Sequence, residues 1–154
     1  VDFLSMPDNR MDSVDLLDIV KVIEGFKQKY NPEIVYTHHA SDVNIDHQKV
    51  HEAVITACRP IPGESVRKIL CFETLSSTEW QPPMSKQPFV PNYFNVLSDE
   101  NMQNKIKSLK VYDCEMREFP HSRSIKTVES LATLRGSTVG VEYAEAFLVA
   151  RIIV

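Results

Sequence analysis

The chain has 154 residues, 43% hydrophobic and 25% charged, which is the size and composition of one globular domain with a real core. A formal net charge of -4 without a basic stripe argues against a nucleic-acid binder, and no apolar run approaches the roughly 18 residues of a membrane span. Cys58, Cys71 and Cys114 are widely spaced with no CxxC, and so read as free thiols of a reducing, cytoplasmic setting rather than a disulfide framework.

In chain order, the first element follows "MDS", where Asp12 or Ser13 is the expected N-cap. Leu16, Ile19, Val20, Ile23 and Phe26 then recur at helical spacing until Asn31-Pro32. "EIVYTH" is too short for a helix and rich in β-branched residues, so it reads as a buried strand. A helix is expected from Asp46, its candidate N-cap, to Pro60, and strands over "VRKILCFETL" and "PNYFNVL". Ser98 is placed to cap a long helix over "DENMQNKIKSLKVYDCEMREF", with Tyr112 or Cys114 inward. Ser124 caps another, with Gly136 as its C-terminal stop, and "AEAFLVARIIV" closes the chain as a strand. Alternating strands and helices imply an α/β, Rossmann-like, doubly wound and mostly parallel sheet in a single domain over residues 1–154.

In open parallel sheets, ligands bind beyond the carboxyl ends of the strands. "THHASDVNIDHQKVH", Thr37 to His51, lies at such a place and gathers four of the chain's five histidines. Imidazole and carboxylate are natural ligands for a divalent metal, and His38, His39, Asp42, Asp46 and His47 supply candidates. Asp and Asn also populate such loops simply as turn formers and caps, and His51 reads as an ordinary helix residue. "FETLSSTEW" carries Glu73, Glu79 and Trp80, the Trp serving either as a sugar platform or as a core filler. "FPHSRS" sets His121 and Arg123 before a helix N-terminus, where anions and hydroxyl-rich ligands are favoured. No HExxH, nucleophile elbow, P-loop or GxGxxG is present.

Taken together, "PDNRMDSVDLLDIVKVIEGFKQKYNPEIVYTHHASDVNIDHQKVHEAVITACRP", "FETLSSTEW", "FVPNYF", "FPHSRS" and "AEAF" resemble the PIG-L/LmbE-like family of zinc-dependent N-acetylglucosamine de-N-acetylases. The resemblance implies hydrolysis of the acetamide of an amino-sugar substrate at a Zn2+ site. "NIDH" stands where the family has "HPDH", so by resemblance His47 is a zinc ligand, Asp46 supports it, and Asn44 replaces a histidine of oxyanion or acid function. The same resemblance assigns Asp8, Arg10 and Arg123 to substrate contact; with Asn44 in the histidine's place, His121 or His38 is the expected proton donor, and His38 is also counted among the substrate-contact residues.

The family's "HPDD" motif, which brings two further zinc ligands and the general base, does not occur in these residues. The chain is therefore expected to be the C-terminal two-thirds of such a domain, lacking two βα units of roughly 60 residues. Alone it is expected to bind zinc weakly and to release no acetate. The rival reading is a non-catalytic carbohydrate-binding or interaction domain of the same fold. The loop from Ser76 to Asn92 is expected to decide the substrate. The sequence leaves open whether copies associate as a homo-oligomer.

Overall fold

The computed structural model describes residues 1–84 and 86–154. A short 3-10 helix, Met11–Ser13, leads into α1 (Leu16–Tyr30), β1 (Ile34–His38), α2 (Ile45–Ala57), β2 (Lys68–Phe72), β3 (Tyr93–Leu97), α3 (Asp99–Val111), α4 (Ile125–Thr138) and β4 (Tyr143–Ile152). Among the described residues the four strands form one sheet in the order β1-β2-β4-β3.

The mixed α/β architecture agrees with expectation, but the strand directions differ from a mostly parallel sheet. Only β1 and β2 run parallel; β4 is antiparallel to both β2 and β3. The reason is connectivity. A single helix, α2, joins β1 to β2 as a crossover, whereas two helices separate β3 from β4 and return the chain in the opposite sense.

The amphipathic pattern of α1 does what its spacing demands. Ile19 and Val20 are buried with Met11 against Ala53 and Ala57 of α2, where small side chains let the helices approach. The adjacent stripe of α2 sets Val54, and Cys58 just past its last turn, onto Ile69 of β2 and Val66. Lys27 of α1 donates to the Ala57 carbonyl, which the last turn of α2 leaves unpaired, and to Glu64, both at 2.5 Å. A second core joins Met102 of α3 with Val128 and Ala132 of α4.

Several expected boundaries move. Asp15, not Asp12 or Ser13, stands at the start of α1 and makes no side-chain cap bond. Asn31 ends α1 in the left-handed conformation, φ 45°, its N–H bonded to Lys27. Ser98 and Ser124 cap α3 and α4 as expected, each accepting from the third residue on. Helix α3 stops at Val111, leaving Tyr112 and Cys114 exposed rather than inward, in a turn that carries Glu115 toward Arg123.

Gly136 does not terminate α4. It lies buried within it, where an added Cβ would fall 2.6 Å from the Glu142 carbonyl oxygen and 2.8 Å from the Tyr143 nitrogen. The absent side chain lets α4 lie directly on the chain entering β4. We predict that Gly136→Ala lowers stability by about 2 kcal/mol through overpacking against backbone. Gly25→Ala in α1, with nothing within 4 Å, should instead raise it by about 0.5–1 kcal/mol. Urea unfolding of the two variants reads both effects.

Candidate functional site

The parallel register pairs Tyr36 with Leu70 and His38 with Phe72, and the antiparallel one pairs Phe72 with Phe147. Side chains alternate across a sheet, so Tyr36, His38, Phe72 and Phe147 share the face opposite α2. Ring contacts bear this out, with centroids of 5.4 Å for Tyr36–Phe147 and 4.7 Å for His38–Phe72. Over that face opens a cleft of about 950 Å³, running from β1 across to α3 and α4.

At the β1 end of the cleft stands His47, in the first turn of α2. Asn44 is the N-cap of α2: its Oδ1 accepts the N–H groups of Asp46 (2.8 Å) and His47 (3.3 Å). Asp46, the expected cap, has its carboxylate engaged elsewhere, accepting from the Asn9 N–H at 2.6 Å and the Met11 N–H at 2.9 Å. Asp46 thus pins residues 9–11 beside the cleft, and Asn44 Nδ2 adds a bond to Asn9 Oδ1.

The His47 ring is oriented by Asp42, which is 0% exposed. His47 Nδ1 lies 3.2 Å from Asp42 Oδ1. The same carboxylate accepts from Ser77 Oγ, from Thr78 Oγ1 at 2.7 Å and from the Asn44 N–H at 2.9 Å. Burial pushes the Asp42 carboxyl up, but the hydrogen bonds from His47, Ser77, Asn44 and Thr78 outweigh it and hold it well below the usual carboxylate range. A charged Asp42 fixes the His47 proton on Nδ1 and leaves Nε2 with a lone pair, the tautomer a metal ligand requires.

The hydroxyls that serve Asp42 come from "LSSTEW", just beyond β2. Ser76 takes a positive φ of 65° there, and Glu79 holds the turn by accepting from the Ser76 N–H (2.6 Å) and the Ser77 N–H (3.2 Å). Ser76 Oγ in turn accepts from Arg123 Nε at 2.6 Å, and Glu115 accepts from the same guanidinium. Arg123 and Trp80 line the cleft, the Trp 54% exposed and so not a core filler.

The remaining expected residues lie off the cleft wall. His121 is exposed; its Nδ1 accepts the Arg123 N–H at 3.0 Å and its ring meets Trp80 edge-on at 5.9 Å. Asp8 and Arg10 are exposed in the loop, and Asn9 between them is the residue that lines the cleft. His38 stacks on His47 with centroids 4.0 Å apart, its Nδ1 buried without a partner. His51 is structural as expected, its Nδ1 2.9 Å from the His38 carbonyl oxygen. His39 is buried with Nε2 3.1 Å from the Gln87 carbonyl, anchoring the long loop. Within that loop, expected to decide the substrate, residue 85 lies outside the described residues.

Sequence reasoning misses Asp42 as the organising group, together with Ser77 and Thr78. The hydroxyl run directly after β2 is the available signal. Among the described residues no three His, Cys, Asp or Glu side chains are grouped to hold a metal ion. His47 suits zinc as a single ligand, and the rest of a zinc set is not provided by these residues.

A family model for PIG-L, GlcNAc-PI de-N-acetylase, matches residues 1–58. No curated protein matches the sequence. Among solved structures, the chain resembles the conserved protein TT1542 from Thermus thermophilus, with a TM-score of 0.71 and 16% identity over 97% of this chain and 64% of that one. It also resembles N,N'-diacetylchitobiose deacetylase from Pyrococcus horikoshii, with a TM-score of 0.64 and 16% identity over 87% of this chain and 51% of the other. The zinc-inhibited form of teicoplanin deacetylase Orf2 gives a TM-score of 0.67 and 18% identity over 98% and 56%. The chain therefore spans between half and two-thirds of these structures and shares their fold.

His38 makes this site sensitive to acid. Burial, reinforced by the neighbouring His47, pushes its pKa down from 6.5 to about 4, so the unfolded chain protonates first. The stability it contributes is complete above about pH 6.5 and is lost as pH falls toward 4. Between those limits the unfolding free energy should fall by about 2 kcal/mol more in the wild type than in His38→Gln. Urea unfolding at pH 7 and pH 4 measures the difference.

Proposed function

We propose that this chain forms the cleft, and one metal-ligand wall, of a zinc-dependent hydrolase that removes the acetyl group from an N-acetylglucosamine-containing substrate. The observation that carries the reading is His47, held through Nδ1 by the buried Asp42 so that Nε2 is kept as a lone-pair donor at the carboxyl end of β1. The family match over residues 1–58 and the deacetylase fold support it.

Bound zinc in such enzymes supplies a water of lowered pKa and polarises an amide carbonyl. Here the chain's own residues bind and orient. His47 offers Nε2 as one ligand, in a ring orientation set by Asp42 and Ser77. Asn44 and Asp46 hold the loop of Asp8, Asn9 and Arg10 against the cleft rim, where its polar groups meet sugar hydroxyls. Arg123, fixed by Ser76 and Glu115, and the exposed Trp80 form the opposite wall, and His121 supports both. A complete zinc site requires ligands beyond His47. Among the described residues no helix is long and apolar enough to cross a membrane, and the free cysteines fit a reducing, cytoplasmic setting.

Two measurements test this. The 154-residue chain should take up less than one zinc per molecule at micromolar concentrations and release no acetate from N-acetylglucosamine glycosides. Joined to a segment bearing "HPDD", it should release acetate, and His47→Ala should lower that activity at least about a hundredfold. Tight stoichiometric zinc uptake by the 154 residues contradicts the shared-ligand reading. Absence of acetate release from every N-acetyl sugar by the joined protein contradicts the deacetylase reading.

A further inference from the structure

The cleft is larger than one sugar requires. At about 950 Å³ it sits near the top of the roughly 300–1,000 Å³ range of pockets for drug-sized ligands. The polar groups already described, His47, Asn44 and Ser77, account for its β1 end. The far half is walled by Leu109 of α3, Met116 beyond it, Val128 and Leu131 of α4, and Phe147 of β4.

The charges of this wall cancel within it. Its acids are Glu73, Glu115 and Glu145, and its bases are Lys105, Arg123 and Arg135. Each acid is matched to one base. Arg135 meets Glu73 through two bonds of 2.8 and 2.5 Å, Lys105 meets Glu145, and Arg123 meets Glu115. A phosphate or nucleotide diphosphate entering here would find no uncommitted Lys or Arg and would have to break an existing pair. An uncharged apolar group loses only water.

The geometry points to an apolar, uncharged aglycone, an alkyl or aryl group on the amino sugar, seated between α3, α4 and Phe147. This inference deepens the deacetylase reading and rests on it for the position of the sugar. It distinguishes the substrate from free N-acetylglucosamine and from sugar nucleotides.

The chain's single tryptophan, Trp80, lines the cleft, so its fluorescence reports occupancy without requiring turnover. Titration with methyl and octyl N-acetyl-β-glucosaminide, the latter below its micelle concentration, should show the octyl glycoside binding at least about tenfold tighter. Burial of about two methylene groups is enough for that factor. Leu131→Glu, which adds an unmatched charge at a half-buried position, should reduce the preference to about twofold or less. Met116→Glu should do the same, and stands in if the first variant melts early. Equal affinity for the two glycosides, tighter binding of a uridine diphosphate sugar, or no response to any glycoside would overturn the inference. Octyl glucoside binding as tightly as its acetamido counterpart would uphold the apolar subsite and count instead against the N-acetyl sugar reading.

Discussion

A buried carboxylate is the constraint on which the site depends. Asp42 is fully enclosed and stays charged only because four donors from three separate places in the chain converge on it: the Asn44 N–H, the His47 imidazole, and the Ser77 and Thr78 hydroxyls. Burying such a charge without these partners would cost far more than any single bond returns. The loop after β1, the first turn of α2 and the loop after β2 therefore have to assemble together. The ring of His47 is aimed as a consequence of that assembly.

The parallel pairing of β1 and β2 makes the convergence possible. It brings both carboxyl ends to the same edge of the sheet, so the loops that follow them face each other. From there the organisation spreads by short links. Glu79 fixes the turn carrying Ser76 and Ser77, Ser76 accepts from Arg123, and Asp46 draws residues 9–11 to the rim. Asp46 and Asn44 thus tie the start of the chain to the same edge.

Much of this arrangement is legible in the sequence, and the rest is hidden for identifiable reasons. The apolar spacing of α1, the serine caps of α3 and α4, and His47 beyond a strand end are local signals, and each stands where expected. Asn44 and Asp46 are equally good caps by local chemistry. What separates them is a distant demand, the N–H groups of Asn9 and Met11 that the Asp46 carboxylate serves. Gly136 has the composition of a helix stop, but its role is contact with the backbone at Glu142. Asp42 looks like any loop aspartate until the hydroxyls of Ser77 and Thr78, 35 and 36 residues away, are placed on it. Strand direction in β4 depends on how two helices return the chain, which no window of sequence records.

The central claim is that Asp42 sets the tautomer and aim of His47. Nitrogen-15 NMR of the histidine rings near pH 7 tests it most directly. The account predicts that His47 carries its proton on Nδ1 with an unprotonated Nε2, and that Asp42→Asn shifts the ring to a mixture of tautomers. A His47 ring protonated on Nε2, or one unchanged by Asp42→Asn, would contradict it.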